Sequence, residues 1–87
     1  MSVKSTALAF INYELIGEPR PEVMLIRFTN ADIVDPDYAR ELGEQLALLV
    51  RDDLPRQIVL DFKDVRALGS TAFGEIASFA RRVRGRN

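Results

Sequence analysis

The sequence predicts a small α/β domain, a mixed β-sheet with amphipathic helices packed on it, in the order strand, strand, helix, strand, helix. Three observations carry this reading. Residues 7–16, ALAFINYELI, alternate with a period of two; an Asp-Pro pair at 35–36 opens a run of apolar residues at helical spacing; and the apolar stretch IVLDF, 58–62, leads through GSTAFG into a second helical run. With 87 residues the chain is read as a single domain over 1–87, with little core to spare, because short chains bury a smaller share of their surface.

In the first strand Ala9, Ile11, Tyr13 and Leu15 share one face and Leu8, Phe10, Asn12 and Glu14 the other. Gly17, Pro19 and Pro21 then interrupt pairing before VMLIRF, 23–28, resumes a second strand, so the two are expected to form an antiparallel hairpin. Asp35 suits a helix cap and Pro36 the first helical position, where its missing N–H is not needed. Tyr38, Leu42, Leu46, Leu49 and Val50 form one stripe of that helix, which is expected to end near Asp52 or Asp53, before Pro55. The run 58–62 suits a covered strand, parallel to the second because a helix separates them, with a right-handed crossover. In the last helix Phe73, Ile76, Ala77, Ala80 and Val83 trace a stripe, with Gly85 at its end. No internal repeat or low-complexity segment is read.

Composition narrows the chemistry. Hydrophobic residues make up 47% and charged residues 29%, the profile of a folded domain. The net charge of −1 provides no field to gather nucleic acid. With 0 Cys and 0 His the chain lacks thiolate or imidazole metal ligands, thiol nucleophiles and Ser-His-Asp catalysis. The N-terminal apolar patch is broken by Asn12 and Glu14 and fits neither a signal peptide nor a membrane span, so the chain is read as soluble and cytoplasmic. No cofactor and no metal is expected.

Ser70 and Thr71 fall where the third strand gives way to the last helix. Either hydroxyl can cap that helix, and either can accept a phosphate, which would meet the unpaired N–H groups and the positive end of the helix dipole. Asp32, Asp35 and Asp37 lack the glycine and distal glutamate of a calcium loop and read as solvated acids. Asp61 and Asp64 stand at the carboxyl end of the third strand without a nucleophile or phosphate loop, and read as turn residues. Arg81, Arg82, Arg84 and Arg86 suit a helix C-terminus. Residues 32–53 hold seven acids against two arginines, so the two helices differ in charge sign, an asymmetry that protein docking could use.

The run IVLDFKDVRALGSTAFGEIASFARRVRG resembles the central part of a STAS domain, the module of sulfate transporters and bacterial anti-sigma-factor antagonists. That family carries a strand ending in Asp, an apolar residue and Asp-Ser-Ser-Gly-Leu-Gly opening a helix. Asp61 matches the strand-end aspartate, Leu68 the apolar residue, Ser70 the phosphorylated serine, Thr71 its hydroxyl neighbour, Phe73 the leucine and Gly74 the small residue after it. Gly69 stands in place of the family aspartate and Ala72 in place of the glycine. The element order is also similar, so the resemblance covers nearly the whole chain. It implies a STAS-like fold whose last strand and helix are absent here, leaving the edge of the third strand open to self-association.

It implies, too, a non-catalytic signalling module that acts in transcription regulation. An unphosphorylated STAS protein binds a serine-kinase anti-sigma factor, phosphorylation of the serine ends the binding, and a PP2C-type phosphatase restores it. On this resemblance Ser70 is the phosphorylation site, and Gly69, Thr71, Phe73, Asp61 and the outer face of the last helix form the partner-binding surface. The alternative is an unphosphorylated scaffold in a multiprotein complex, stressosome-like or transporter-associated.

Overall fold

The computed structural model of the chain describes residues 3–8, 10–49, 55 and 57–85. Strands β1 (Val3–Ala7), β2 (Ile11–Ile16) and β3 (Val23–Phe28) are followed by a two-residue strand β4 (Asp32–Ile33) and helix α1 (Pro36–Leu48). Strand β5 (Gln57–Asp61), a second two-residue strand β6 (Ala67–Leu68) and helix α2 (Ser70–Gly85) complete the chain. Four strands form one sheet in the order β1-β2-β3-β5, and β4 pairs with β6 beyond its end.

The strand expected over residues 7 to 16 is confined to Ile11–Ile16, and β1, a strand not predicted from the sequence, precedes it. Ala7 pairs with Asn12, and the Leu8 N–H donates to the Ile11 carbonyl at 2.8 Å, so β1 and β2 form a tight antiparallel hairpin. Contacts distant in sequence override the local period of two at Phe10. Its N–H donates to Gln45 Oε1 at 3.1 Å, its carbonyl accepts the Thr29 N–H and hydroxyl, and its ring meets Tyr38 edge-on at 4.6 Å. Ala9 lies outside the described residues.

The expected hairpin between the next two strands is present. Strands β2 and β3 are antiparallel with Ile11 opposite Phe28 and Ile16 opposite Val23. The connection turns at Gly17, whose φ of 130° is a conformation open to glycine, and closes when the Glu22 N–H donates to the Ile16 carbonyl at 2.8 Å.

The expected parallel pairing follows, with Val23 opposite Gln57 and Arg27 opposite Asp61; β5 starts and ends one residue earlier than the strand predicted over 58–62. The alignment then continues in β4 and β6, where Asp32 faces Ala67 and Ile33 faces Leu68. Two similar units thus run side by side, each a long strand, a two-residue strand and a helix.

Alternation along the sheet sorts its two faces. Ile11, Met24, Ile26 and Phe28 are buried in one cluster with Ala39, Leu42, Leu46 and Leu49 of the first helical segment and Ala72, Ile76 and Phe79 of α2. Both helices therefore cover one face, and the other, bearing Asn12, Glu14, Val23, Leu25, Arg27 and Val59, is left without a helix among the described residues. Asp35 caps α1 as expected, its Oδ1 accepting the Asp37 N–H at 2.9 Å, with Pro36 at the first position. The helix closes at Leu48, with Leu49 as its C-cap; Val50 and the expected end at Asp52 or Asp53 lie outside the described residues. The stripe of α2 is rotated from the expected one: Ala72, Ile76 and Phe79 are buried, Val83 packs against them, and Phe73 faces outward. Both sets of positions have helical spacing, and packing of α2 on α1 selects between them.

An alanine Cβ at position 17 would lie 2.8 Å from the Glu22 nitrogen and 2.9 Å from the Arg20 carbonyl oxygen. Gly17→Ala is expected to cost roughly 1–3 kcal/mol, measured by urea denaturation. The outward and inward leucines of α1 give a second check on packing. Leu46→Ala should cost about 2–5 kcal/mol, whereas Leu48→Ala, at a side chain 75% exposed, should leave the urea midpoint nearly unchanged.

Candidate functional site

The site is built on the β4–β6 pairing. The Arg66 and Ala67 N–H groups donate to the Ala31 carbonyl at 2.7 and 3.1 Å, and the Gly69 N–H donates to the Ile33 carbonyl at 2.8 Å. Arg66 also forms an exposed ion pair with Asp32 at 3.0 Å. These contacts bring the segment before α2 alongside the segment before α1, so the two helices begin as neighbours.

Gly69 occupies the cap position of α2, and its carbonyl accepts the Phe73 N–H at 3.0 Å. Its flank is closed. A Cβ there would stand 3.2 Å from Val34 Cα and 3.3 Å from the Val34 carbonyl oxygen. This close approach gives a local reason for glycine at this position.

The expectation that a Ser70 or Thr71 hydroxyl caps the helix is corrected by this geometry. Ser70 is already the first helical residue, and neither hydroxyl takes part in a hydrogen bond among the described residues. The cap is Gly69, a residue without a side-chain acceptor. Ser70 is exposed and Thr71 half-buried. One turn on, Phe73 is 65% exposed, and Val34, against which Gly69 packs, is 57% exposed. Gly69, Ser70, Thr71 and Phe73 are thus brought together at one helix start, with Val34 added by the fold. Val34 precedes the Asp35 cap, a position where an apolar residue often packs back onto the helix; its exposure is visible only in three dimensions.

Asp61 sits in a different arrangement, on the helix-free face of the sheet. Its Oδ1 accepts the Lys63 N–H at 2.9 Å in an Asx turn. Its Oδ2 accepts from Arg27 Nε at 3.1 Å, and Arg27 also donates to Glu14 at 3.1 Å. No hydrogen bond or ion pair joins this row to Ser70 among the described residues. Asp64 is an exposed turn residue. The other acids singled out have individual structural partners: Asp35 caps α1, Asp37 pairs with Arg40 and Asp32 pairs with Arg66. Arg82 and Arg84 occupy the last turn of α2, Arg81 donates to Ser78 Oγ at 3.4 Å, and Arg86 lies outside the described residues.

The Asp61 carboxyl is held below the ordinary aspartate value of 3.8, first by the Lys63 N–H and then by the Arg27 guanidinium, against an opposing effect of desolvation. A lowered native value makes the ionised form stabilising. That contribution is complete above the unfolded-state value and is lost as the pH falls through the lower native one. Asp61→Asn should therefore be less stable than wild type near neutral pH, with the difference narrowing below about pH 3.8, as read from urea midpoints across the acid range.

No protein-family model matches the chain, and no curated protein or solved structure matches it. None of the described helices is long and apolar enough to cross a membrane.

Proposed function

We propose that this chain is a non-catalytic signalling module of the STAS kind, an anti-sigma-factor antagonist switched by phosphorylation at Ser70. The observation that carries the reading is the combination of an exposed Ser70 hydroxyl, without a hydrogen-bond partner among the described residues, with an exposed Phe73 one turn further along the same helix. A solvated aromatic supplies large apolar contact area for a partner, and a hydroxyl beside it is where new charge would alter that contact most.

In this reading Val34 and Phe73 dock a serine-kinase anti-sigma factor, with Thr71 at the margin of the contact. Gly69 keeps the backbone low between the two helix starts. Phosphorylation adds about two negative charges at the α2 N-terminus. The unpaired N–H groups of the first turn tolerate that charge, so the fold survives while the partner meets a charged, hydrated group in place of a neutral one. A PP2C-type phosphatase then returns the surface to its binding form. Asp61, the remaining residue of the proposed partner-binding surface, is held in place by Arg27 of β3.

The test is binding to proteins captured from native lysate and identified by mass spectrometry, followed by titration of the purified kinase-like partner. Ser70→Ala should retain binding, while Ser70→Asp and Phe73→Ala should each weaken it by about tenfold or more, or roughly 1.4 kcal/mol. Equal binding by wild type, Ser70→Ala and Ser70→Asp overturns the switch. Retention of the same non-kinase partners by all three would instead support the scaffold.

A further inference from the structure

Strand β5 is hydrogen-bonded on one side only among the described residues, to β3. Its core-facing residues register the consequence: Ile58 and Leu60 remain partly exposed, whereas their register partners Met24 and Ile26 on β3 are buried to 1% and 0%. The strand itself, Gln-Ile-Val-Leu-Asp, carries none of the lysines, prolines or bulges that usually protect an edge. Its outward residue Val59 is 47% exposed on the helix-free face, opposite Leu25 of β3.

The backbone directions determine what can pair there. The Gln57 N–H points toward β3, where it donates to the Glu22 carbonyl at 3.4 Å. By the alternation of a parallel ladder, Gln57, Val59 and Asp61 direct their backbone groups inward, and Ile58 and Leu60 direct theirs to the open edge. We propose that this edge pairs with the β5 edge of a second copy of the chain, antiparallel, about a twofold axis at Val59.

That register places Ile58 opposite Leu60 of the second copy, and the reverse. The outward N–H and C=O groups of both residues then satisfy one another reciprocally, and no outward group of the strand is left over. Centring the pair on Leu60 instead would set Ile58 against Phe62, whose carbonyl already accepts the Val65 N–H at 3.0 Å. The Val59 register brings Val59 against Val59 as a close, non-hydrogen-bonded pair and extends the Leu25 and Val59 patch across the axis. Gln57 faces Asp61 of the second copy, a neutral donor beside a carboxylate, so no like charges meet. The two sheets become one continuous sheet with the helices of both copies on the same side. This pairing is independent of the proposal for Ser70, since it uses none of the helix-start residues.

The chain has no cysteine, which allows a direct test. Val59→Cys places the introduced thiol on the twofold axis, within the range for a disulfide between directly opposed residues, whereas Gln57→Cys does not face itself. Under mild oxidation of the native protein, Val59→Cys is expected to form a covalent dimer at least about tenfold faster than Gln57→Cys. A mixture of Gln57→Cys and Asp61→Cys copies should also cross-link, which keeps the test open where Val59→Cys folds poorly. By sedimentation from about 1 µM to about 1 mM, wild type should show a concentration-dependent dimer, and Val59→Lys, with unchanged circular dichroism, should be monomeric. A wild type that stays monomeric throughout, a Val59→Lys that still dimerises, or a Gln57→Cys that cross-links as fast as Val59→Cys overturns the proposal.

Discussion

The parallel alignment of residues 23–33 with residues 57–68 is the constraint on which the rest of the structure depends. It is non-local, joining segments separated by a whole helix, so the chain must close that long connection before any of its bonds form. Once closed, it stacks Met24 and Ile26 beside Ile58 and Leu60 to make the floor on which α1 rests. Carried on through β4 and β6, it also sets the start of α2 against the start of α1, and with it the position of Ser70.

The same alignment gives several residues two tasks. Arg27 stands opposite Asp61 in the ladder and joins it to Glu14, so the two edges of β3 are linked by charge on the helix-free face. Gly69 donates to Ile33, accepts from Phe73 and lies close beside Val34, where a Cβ would be a tight fit. An aspartate at that place would require the Val34 backbone to give way by a few tenths of an ångström. The close contact between the two units thus fixes the residue before α2 as one without a bulky side chain, and the Ser70 hydroxyl beside it is exposed.

The arrangement also separates two surfaces by their physics. The α2 start carries two exposed apolar side chains, Val34 and Phe73, near an exposed hydroxyl. The β5 edge offers directed backbone donors and acceptors with a modest apolar margin at Val59. A contact at the first is governed by charge and desolvation, and one at the second by hydrogen-bond register. The two can change independently because no side-chain bond joins them among the described residues.

The order of the elements from β2 onward, apart from the two-residue strands, was legible in the sequence because it rests on local rules: alternation in 11–16 and 23–28, the Asp35 and Pro36 start, and the leucines of α1 at helical spacing; β1 was not predicted. The location of Ser70 and Thr71 at a helix start was legible for the same reason. The start of β2 at Ile11, the two-residue strands and the cap at Gly69 were decided by partners far along the chain, namely Gln45, Thr29, Ala31 and Ile33. The outward turn of Phe73 belongs to the same class. Residues 73, 76, 77, 80 and 83 and residues 72, 76, 79 and 83 are both valid helical stripes, and only the surface presented by α1 and the sheet distinguishes them. Sequence by itself determined the strands β2, β3 and β5 and the two helices, since period and capping act within a few residues. Tertiary structure alone decided which side chains those segments leave in water, since burial is a property of the neighbours that the alignment of the two units brings together.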